Sequence, residues 1–322
     1  GWVNPHNTDI SVVQRPISGT YAVIQSFDQG GQSYYPDLPP SVNTLTEMDA
    51  QHGYWIKVVN PHHSALNDQH PAATTETIAT LRLIGTAFPE NQKLPLDADW
   101  NLVSFLSRNQ MGVVEGLRSI EGEYTAVLGF DGGALSYYPH LEPGFNTLWA
   151  LQPLHGYWIR MAQEDTLHYP RTQPGDVATA GLPGDPDAKH RAQLARQTER
   201  TTGVHPTNTW VNFYGQARLD GKPAPEGTLI QTFDADGVLC GAGVVTKPGQ
   251  YGLLACYGDD LTTSTDEGAS PGDVVFFTIN GQPATVTGET VWTAHGELIE
   301  AHLEITRWPW RLYLPLTGKG DR

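Results

Sequence analysis

The chain repeats itself at a fixed offset of 103 residues. Tyr21-Ala-Val-Ile-Gln-Ser-Phe-Asp28 returns as Tyr124-Thr-Ala-Val-Leu-Gly-Phe-Asp131, and Ser33-Tyr34-Tyr35-Pro36 as Ser136-Tyr137-Tyr138-Pro139. Asn43-Thr44-Leu45 returns as Asn146-Thr147-Leu148, and His52-Gly53-Tyr54-Trp55-Ile56 as His155-Gly156-Tyr157-Trp158-Ile159. Residues 14–57 align with 117–160 without a gap, and 21 of these 44 positions are identical. Self-similarity at a fixed period marks a duplicated structural unit, so any fold assigned to one copy has to suit both.

Each copy reads as strands. The run from Tyr21 ends at Asp28-Gln29-Gly30-Gly31 and its counterpart at Asp131-Gly132-Gly133, clusters that signal hairpins between apolar runs. Ser33–Tyr35 is a short strand closed by Pro36, which has no N–H for a ladder. Gly53–Val59 and Thr77–Ile84 are further expected strands, and helical periodicity is weak. The second copy opens on Leu94-Pro95-Leu96 and Trp100-Asn101-Leu102-Val103-Ser104, whereas only Gly1-Trp2-Val3 precedes Asn4-Pro5 in the first. The first copy is therefore expected to lack most of an opening strand. Either the copies diverge or were trimmed there, or another segment fills the edge, from this molecule or a neighbour, because an open edge leaves backbone groups unpaired.

Residues 171–209 change character to Thr, Pro, Gly and Ala, then the basic Lys189-His-Arg191-Ala-Gln-Leu-Ala-Arg196-Gln-Thr-Glu-Arg200. Its good helix formers behind Pro186 suit about three turns of helix, as a solvated linker or as a docking strip for an acidic neighbour. Beyond Trp210, runs at Phe213–Leu219, Gly227–Phe233, Val238–Val245, Tyr251–Cys256 and Val274–Ile279 alternate with turns such as Asp220-Gly221 and Asn280-Gly281, the pattern of a β-sandwich. The expected class is all-β: repeat domains at 1–85 and 86–170, a linker at 171–209, a sandwich at 210–305 and an apolar tail at 306–322.

Phe213-Tyr214-Gly215, Asp220-Gly221-Lys222-Pro223-Ala224-Pro225-Glu226-Gly227-Thr228, Gly249-Gln250-Tyr251-Gly252 and Gly272-Asp273-Val274-Val275-Phe276-Phe277 resemble carboxypeptidase-regulatory-like and prealbumin-like β-sandwich modules. The duplicated segment, with Trp100-Asn-Leu-Val-Ser and Gly156-Tyr-Trp-Ile, resembles repeats of secreted bacterial and archaeal surface proteins, notably of Chloroflexota type. Arg311-Leu-Tyr-Leu-Pro-Leu316 is similar to a tail found on such proteins. These resemblances imply architecture and an extracellular location, not an activity, because such modules accompany enzymes, adhesins and fibre subunits alike.

The two cysteines, Cys240 and Cys256, flank a turn centred near Pro248-Gly249. Reflecting 240 about that centre gives 257, so the thiols are one residue from perfect register on antiparallel strands. A bulge or shifted turn brings them within disulfide reach; two separate buried thiols are the alternative.

Catalytic signatures are missing or out of context. Gly268-Ala-Ser270-Pro-Gly272 lacks the strand-to-helix setting of a nucleophile elbow and reads as a turn. His52 and His155 match by duplication and suit a turn or strand-start hydrogen bond; His62, His63 and His70 form a loop cluster without a completing carboxylate or Cys; His295, Glu297, Glu300 and His302 lie where strand alternation makes one face solvated. Asp234-Ala-Asp236-Gly237 starts like a calcium loop, but Val245-Thr246 stands where the closing glutamate belongs. Asp259, Asp260, Asp266 and Glu267 form an acidic loop suited to weak cation binding at most. No cofactor and no metal site is expected.

The paired aromatics Tyr34-Tyr35, Tyr54-Trp55, Tyr137-Tyr138 and Tyr157-Trp158 each put one ring inward and one outward if on strands, for an interface or for stacking on a glycan. Trp308, Trp310, Leu312, Tyr313, Leu314 and Leu316 make an apolar tail suited to packing on its own sandwich or entering the first repeat of a neighbouring copy. A formal charge of −16 disfavours nucleic acid, and no apolar run approaches a membrane span. The opening Gly1-Trp2-Val3, with neither an initiator methionine nor a basic-then-apolar leader, fits a removed export signal. The expected function is that of an exported, non-enzymatic cell-surface protein whose partners are copies of itself in a head-to-tail fibre. The alternatives are a polysaccharide-binding or adhesive module and the accessory region of a larger secreted hydrolase.

Overall fold

The computed structural model describes residues 3–59, 80–171 and 187–306 of the chain. Strands in several sheets dominate and helices are few, which places the protein in the all-β class. Two compact units form: Gly1–Thr201 with Pro206–Trp210, and Thr202–His205 with Val211–Arg322. Both repeats thus belong to one unit.

In the first repeat, β1 (Tyr21–Phe27), β2 (Gly31–Tyr34) and β3 (Trp55–Val58) form a sheet of order β2-β1-β3. In the second, β4 (Asp99–Ser104), β5 (Tyr124–Phe130), β6 (Ala134–Tyr137) and β7 (Gly156–Met161) take the order β6-β5-β7-β4. The added strand is β4, antiparallel to β7 from Gly156↔Ser104 to Met161↔Asp99.

The repeated Asn-Thr-Leu is not a strand. Asn43 Oδ1 and Thr44 Oγ1 accept the backbone N–H groups of Tyr35 (2.8 Å) and Ser33 (2.9 Å), and Asn146 and Thr147 do the same for Tyr138 and Ser136. The motif recurs because it satisfies the outer edge of each hairpin, where no further strand is paired among the described residues. The expected strand Thr77–Ile84 is corrected in its described part: 80–84 is not a strand, and Gly85–Ala87 pairs instead with Val3–Pro5. The start of the chain therefore forms a separate ribbon and does not complete the first sheet.

Leu94–Leu96 pairs with Asp165–Leu167 and closes the core of the second repeat, where Phe105, Leu106, Leu117, Ile159, Leu167 and Tyr169 are buried. Within the expected linker, Ala188–Thr202 is a helix that packs on this repeat, with Ala192 in its core. Arg191 is buried and its Nη2 donates to the carbonyls of Pro143 (3.1 Å) and Asn146 (3.0 Å). Arg196 Nη1 meets Asp131 Oδ2 at 2.7 Å, and Lys189 lies over the Trp149 ring. The acidic neighbour of the basic stretch is thus, at Asp131, the repeat's own turn. Arg191→Ala leaves the buried Asn146 carbonyl and the more exposed Pro143 carbonyl without their charged donor, an expected loss of about 1–2 kcal/mol. A lower urea midpoint, with faster hydrogen exchange in the helix, is the result that checks it.

The C-terminal unit contains β8 (Trp210–Leu219) from Val211 on, β9 (Leu229–Phe233), β10 (Leu239–Val244), β11 (Gln250–Tyr257), β12 (Phe276–Ile279), β13 (Thr285–Gly288) and β14 (Leu298–Ile305). One sheet joins β8, β14 and β13, with β11 also on β8; the other has the order β10-β9-β12. Phe213, Ala217 and Leu303 from the first, with Ile230, Phe277 and Ile279 from the second, form one core. A single core fed by two sheets is a sandwich. β8 and β14 run parallel, so their link is a crossover and not a hairpin. Cys240 on β10 and Cys256 on β11 form a disulfide with Cα atoms 4.7 Å apart. The pairing is shifted by one residue from the turn's centre, as the spacing required.

Candidate functional site

Several of the residues singled out for chemistry make structural hydrogen bonds. Asp234 Oδ1 accepts the N–H groups of Asp236 (2.9 Å) and Val238 (2.8 Å), which makes that loop a carboxylate-capped turn. Ser270 N–H donates to Asp273 Oδ2 (2.7 Å) in a turn with no helix behind it. Thr263 Oγ1 donates to Glu267 Oε1 (2.6 Å) and Thr262 to Asp260 Oδ1, stitching the acidic loop. Glu300 and His302 lie on β14, where His302 Nδ1 accepts the Gln216 N–H (3.2 Å). Among the described residues no group of three or more His, Cys, Asp or Glu is placed to hold a metal ion. His62, His63 and His70, and the tail residues from Trp308 to Leu316, lie outside the described residues.

The aromatics are placed more informatively. Tyr54 and Tyr157 turn inward, and burial pushes both phenols above their usual range; their hydroxyls accept the N–H groups of Asp49 (2.8 Å) and Gln152 (2.7 Å). Trp55 and Trp158 turn to the opposite face, and what each meets there is the other repeat. Trp55 packs edge-on against Phe130 with centroids 4.9 Å apart, and Trp158 against Phe27 at 5.2 Å. Adding 103 to Phe27 and Trp55 gives Phe130 and Trp158, so the two contacts are one contact made twice. A patch that meets its own copy reciprocally is the signature of a two-fold interface. Gly53 and Gly156, equivalent residues, meet beside it: a Cβ on Gly156 would sit 3.1 Å from the Gly53 Cα. β4 is wedged in here as well, for Gly53 N–H donates to Leu102 O (3.0 Å) and Ser104 N–H to Gln51 O (2.9 Å).

Tyr34 and Tyr35 are half-buried, as is Tyr137, while Tyr138 is buried. Strict alternation fails for these pairs because the strands end at Tyr34 and Tyr137, one residue too early for the second ring to be governed by a pleat.

The two copies differ most at the edge that carries β4 in the second. There Tyr157, Ile159 and Met161 are buried, the last 3% exposed. Their equivalents in the first copy are half-buried Tyr54 and Ile56 and exposed Val58 at 47%. Val59, Leu83 and Ile84 add further exposed apolar side chains in that copy. Among the described residues β3 pairs with β1 alone.

A cleft of about 580 Å³ between the β1–β2 turn and β4 is lined by Gln29, His52, Asp97, Trp100 and Asn101, among others. His52 Nδ1 contacts Asp49 Oδ1 at 2.9 Å. The hydrogen bond to Asp49 raises the imidazole's pKa above 6.5 against the opposing effect of burial, helped by the charges of Asp49 and Asp28. Burial pushes Asp49 up, but hydrogen bonds from His52 and the Gln51 N–H outweigh it, and the carboxyl lies below 3.8. The imidazole's contribution is complete below pH 6.5 and is lost as pH climbs through its raised pKa; that of Asp49 is complete above 3.8 and is lost on acidification through its lowered one. The pair therefore supports the fold most between these limits, by less than about 1 kcal/mol at this exposure. NMR titration should place the His52 midpoint above 6.5 and return it toward that value in Asp49→Asn.

Sequence reasoning missed Phe27, Phe130, the two glycines and the Asp49–His52 pair. The repeat offset held a signal for the first four: an outward aromatic duplicated along with a Gly beside it is what a self-complementary face requires. No protein-family model, curated protein or solved structure matches this chain.

Proposed function

We propose that the chain is an exported, non-enzymatic structural protein of the cell surface, a subunit that assembles head to tail by adding a strand to its first repeat. One observation carries this reading: β7 holds β4 on its outer edge, and β3, entered through the same Gly-Tyr-Trp-Ile sequence, has no described strand there. An edge of that kind is a template for another chain. The exposed Val58 is where the second copy buries Met161, so the apolar surface that a strand would cover is present. A closed disulfide suits an oxidising compartment. Added strands that join different surfaces of successive copies build filaments when the rotation does not close.

Negative-stain microscopy of the full chain is expected to show fibres. Monodisperse particles of single-subunit size at all concentrations would defeat the reading. A second reading, polysaccharide binding, rests on the cleft beside Trp100, where an aromatic ring stands among carboxylate and amide groups that suit sugar hydroxyls. Retention on immobilised polysaccharide, lost in Trp100→Ala, is its test.

A further inference from the structure

β7 and β4 define what the first repeat's edge accepts, and the chain's own end carries the same pattern. On the face where the repeats meet, β4 places Trp100 and Leu102, opposite Arg160 and Trp158. The Trp100 ring packs edge-on against Trp158 and lies under the Arg160 guanidinium, 5.6 Å from its centroid. Val103, opposite Tyr157, faces the core. The edge therefore selects Trp-x-Leu-apolar, with a cation on the acceptor strand over the Trp. Subtracting 103 turns Arg160, Trp158 and Tyr157 into Lys57, Trp55 and Tyr54, so the cation and both aromatics are retained, the first two on β3 and Tyr54 just before it.

Trp310-Arg311-Leu312-Tyr313-Leu314 matches Trp100-Asn101-Leu102-Val103-Ser104 at the Trp and the Leu and keeps an apolar residue at the core-facing position. Pro309 and Pro315 bound this run. Since proline cannot donate to a ladder, the two prolines limit a strand built on Trp310 to the five residues between them, one residue shorter than β4. Resting on the strand-addition reading above, we infer that Trp310–Leu314 of one copy adds to β3 of the next in the register of β4 on β7. Trp310 then stands opposite Lys57, Leu312 opposite Trp55 and Tyr313 opposite Tyr54, with the Lys57 ammonium over the indole.

Cysteines test the register in the full chain, where no free thiol competes among the described residues. Ile56→Cys with Arg311→Cys, which stand opposite in this register and leave Trp310 and Lys57 in place, should form a disulfide between chains under mild oxidation, giving a ladder on a non-reducing gel. Ile56→Cys with Leu314→Cys, displaced by three residues or roughly 10 Å along the strand, should link at least several-fold less. Equal linking by both pairs, or none while fibres are present, overturns the inference and leaves fibre assembly standing. A link within a single chain supports the occupant and register but overturns head-to-tail assembly. Independently of the engineered thiols, Trp310→Ala should abolish fibres while Trp308→Ala, on the far side of Pro309, should leave them; the reverse pattern overturns the inference.

Discussion

With Cys240 and Cys256 both replaced by alanine, the C-terminal unit is expected to lose about 3 kcal/mol, the chain-entropy value for a loop of this length, while the N-terminal unit melts unchanged. The residues are 16 apart in sequence and fully buried in the sandwich core. Alanine keeps the sites apolar, so the loss comes mainly from the freer unfolded chain. For a unit of about 100 residues this corresponds to a fall of roughly 12–24 °C in Tm. Both cysteines of the chain lie in this unit, so reductant should reproduce the shift in the wild type and do nothing to the variant. Scanning calorimetry resolves the two cases. A single transition that moves as a whole would mean that the two units unfold as one.

How much of this was legible in the sequence depended on whether the deciding interactions were local. Hairpins announced themselves, because Asp-Gly turns and β-branched runs act within a few residues: the expected strand Gly227–Phe233 is found at Leu229–Phe233, and Val238–Val245 at Leu239–Val244. The disulfide followed from reflection about one turn. The Asn-Thr-Leu motif was visible but not its purpose, since Asn43 and Thr44 act on Tyr35 and Ser33 across a loop that no periodicity describes. The strand expected at Thr77–Ile84 is absent from its described part, 80–84, because apolarity alone does not supply a partner; Gly85–Ala87 pairs because Val3–Pro5 reaches it from the other end of the repeat. At the candidate site the outward rings of Trp55 and Trp158 could be deduced from alternation, yet not what they face. Long-range mating of two copies leaves only an indirect trace, the equality of offsets among residues that touch.

The second large effect is expected at that mating surface. Gly156→Val should destabilise the N-terminal unit by about 3 kcal/mol, the upper end for inserting atoms where none fit. The new Cβ would stand 3.1 Å from the Gly53 Cα, 3.4 Å from the Val103 carbonyl oxygen and 3.6 Å from the Tyr54 nitrogen, and the branched methyls need more room still. All three neighbours are backbone, so no side chain can rotate away and the strands themselves have to part. Parting them stretches the Gly53–Leu102 and Ser104–Gln51 hydrogen bonds and draws Trp158 from Phe27 and Trp55 from Phe130. Tryptophan emission should therefore shift to the red as the urea midpoint falls. Gly112→Ala is the matched control: its Cβ would meet nothing within 4 Å and its φ of −57° suits alanine, so a change within about 0.5 kcal/mol is expected. Gly53→Val tests the symmetry from the other side, and there the collision is with the Leu102 side chain at 2.9 Å as well as the Val103 carbonyl oxygen at 3.1 Å. Leu102 is buried and its Cγ stands as close as its Cδ1, so it cannot simply swing aside, and Gly53→Val should cost at least as much as Gly156→Val. A Gly156→Val chain as stable as Gly112→Ala would show that the repeats do not meet through these glycines at all.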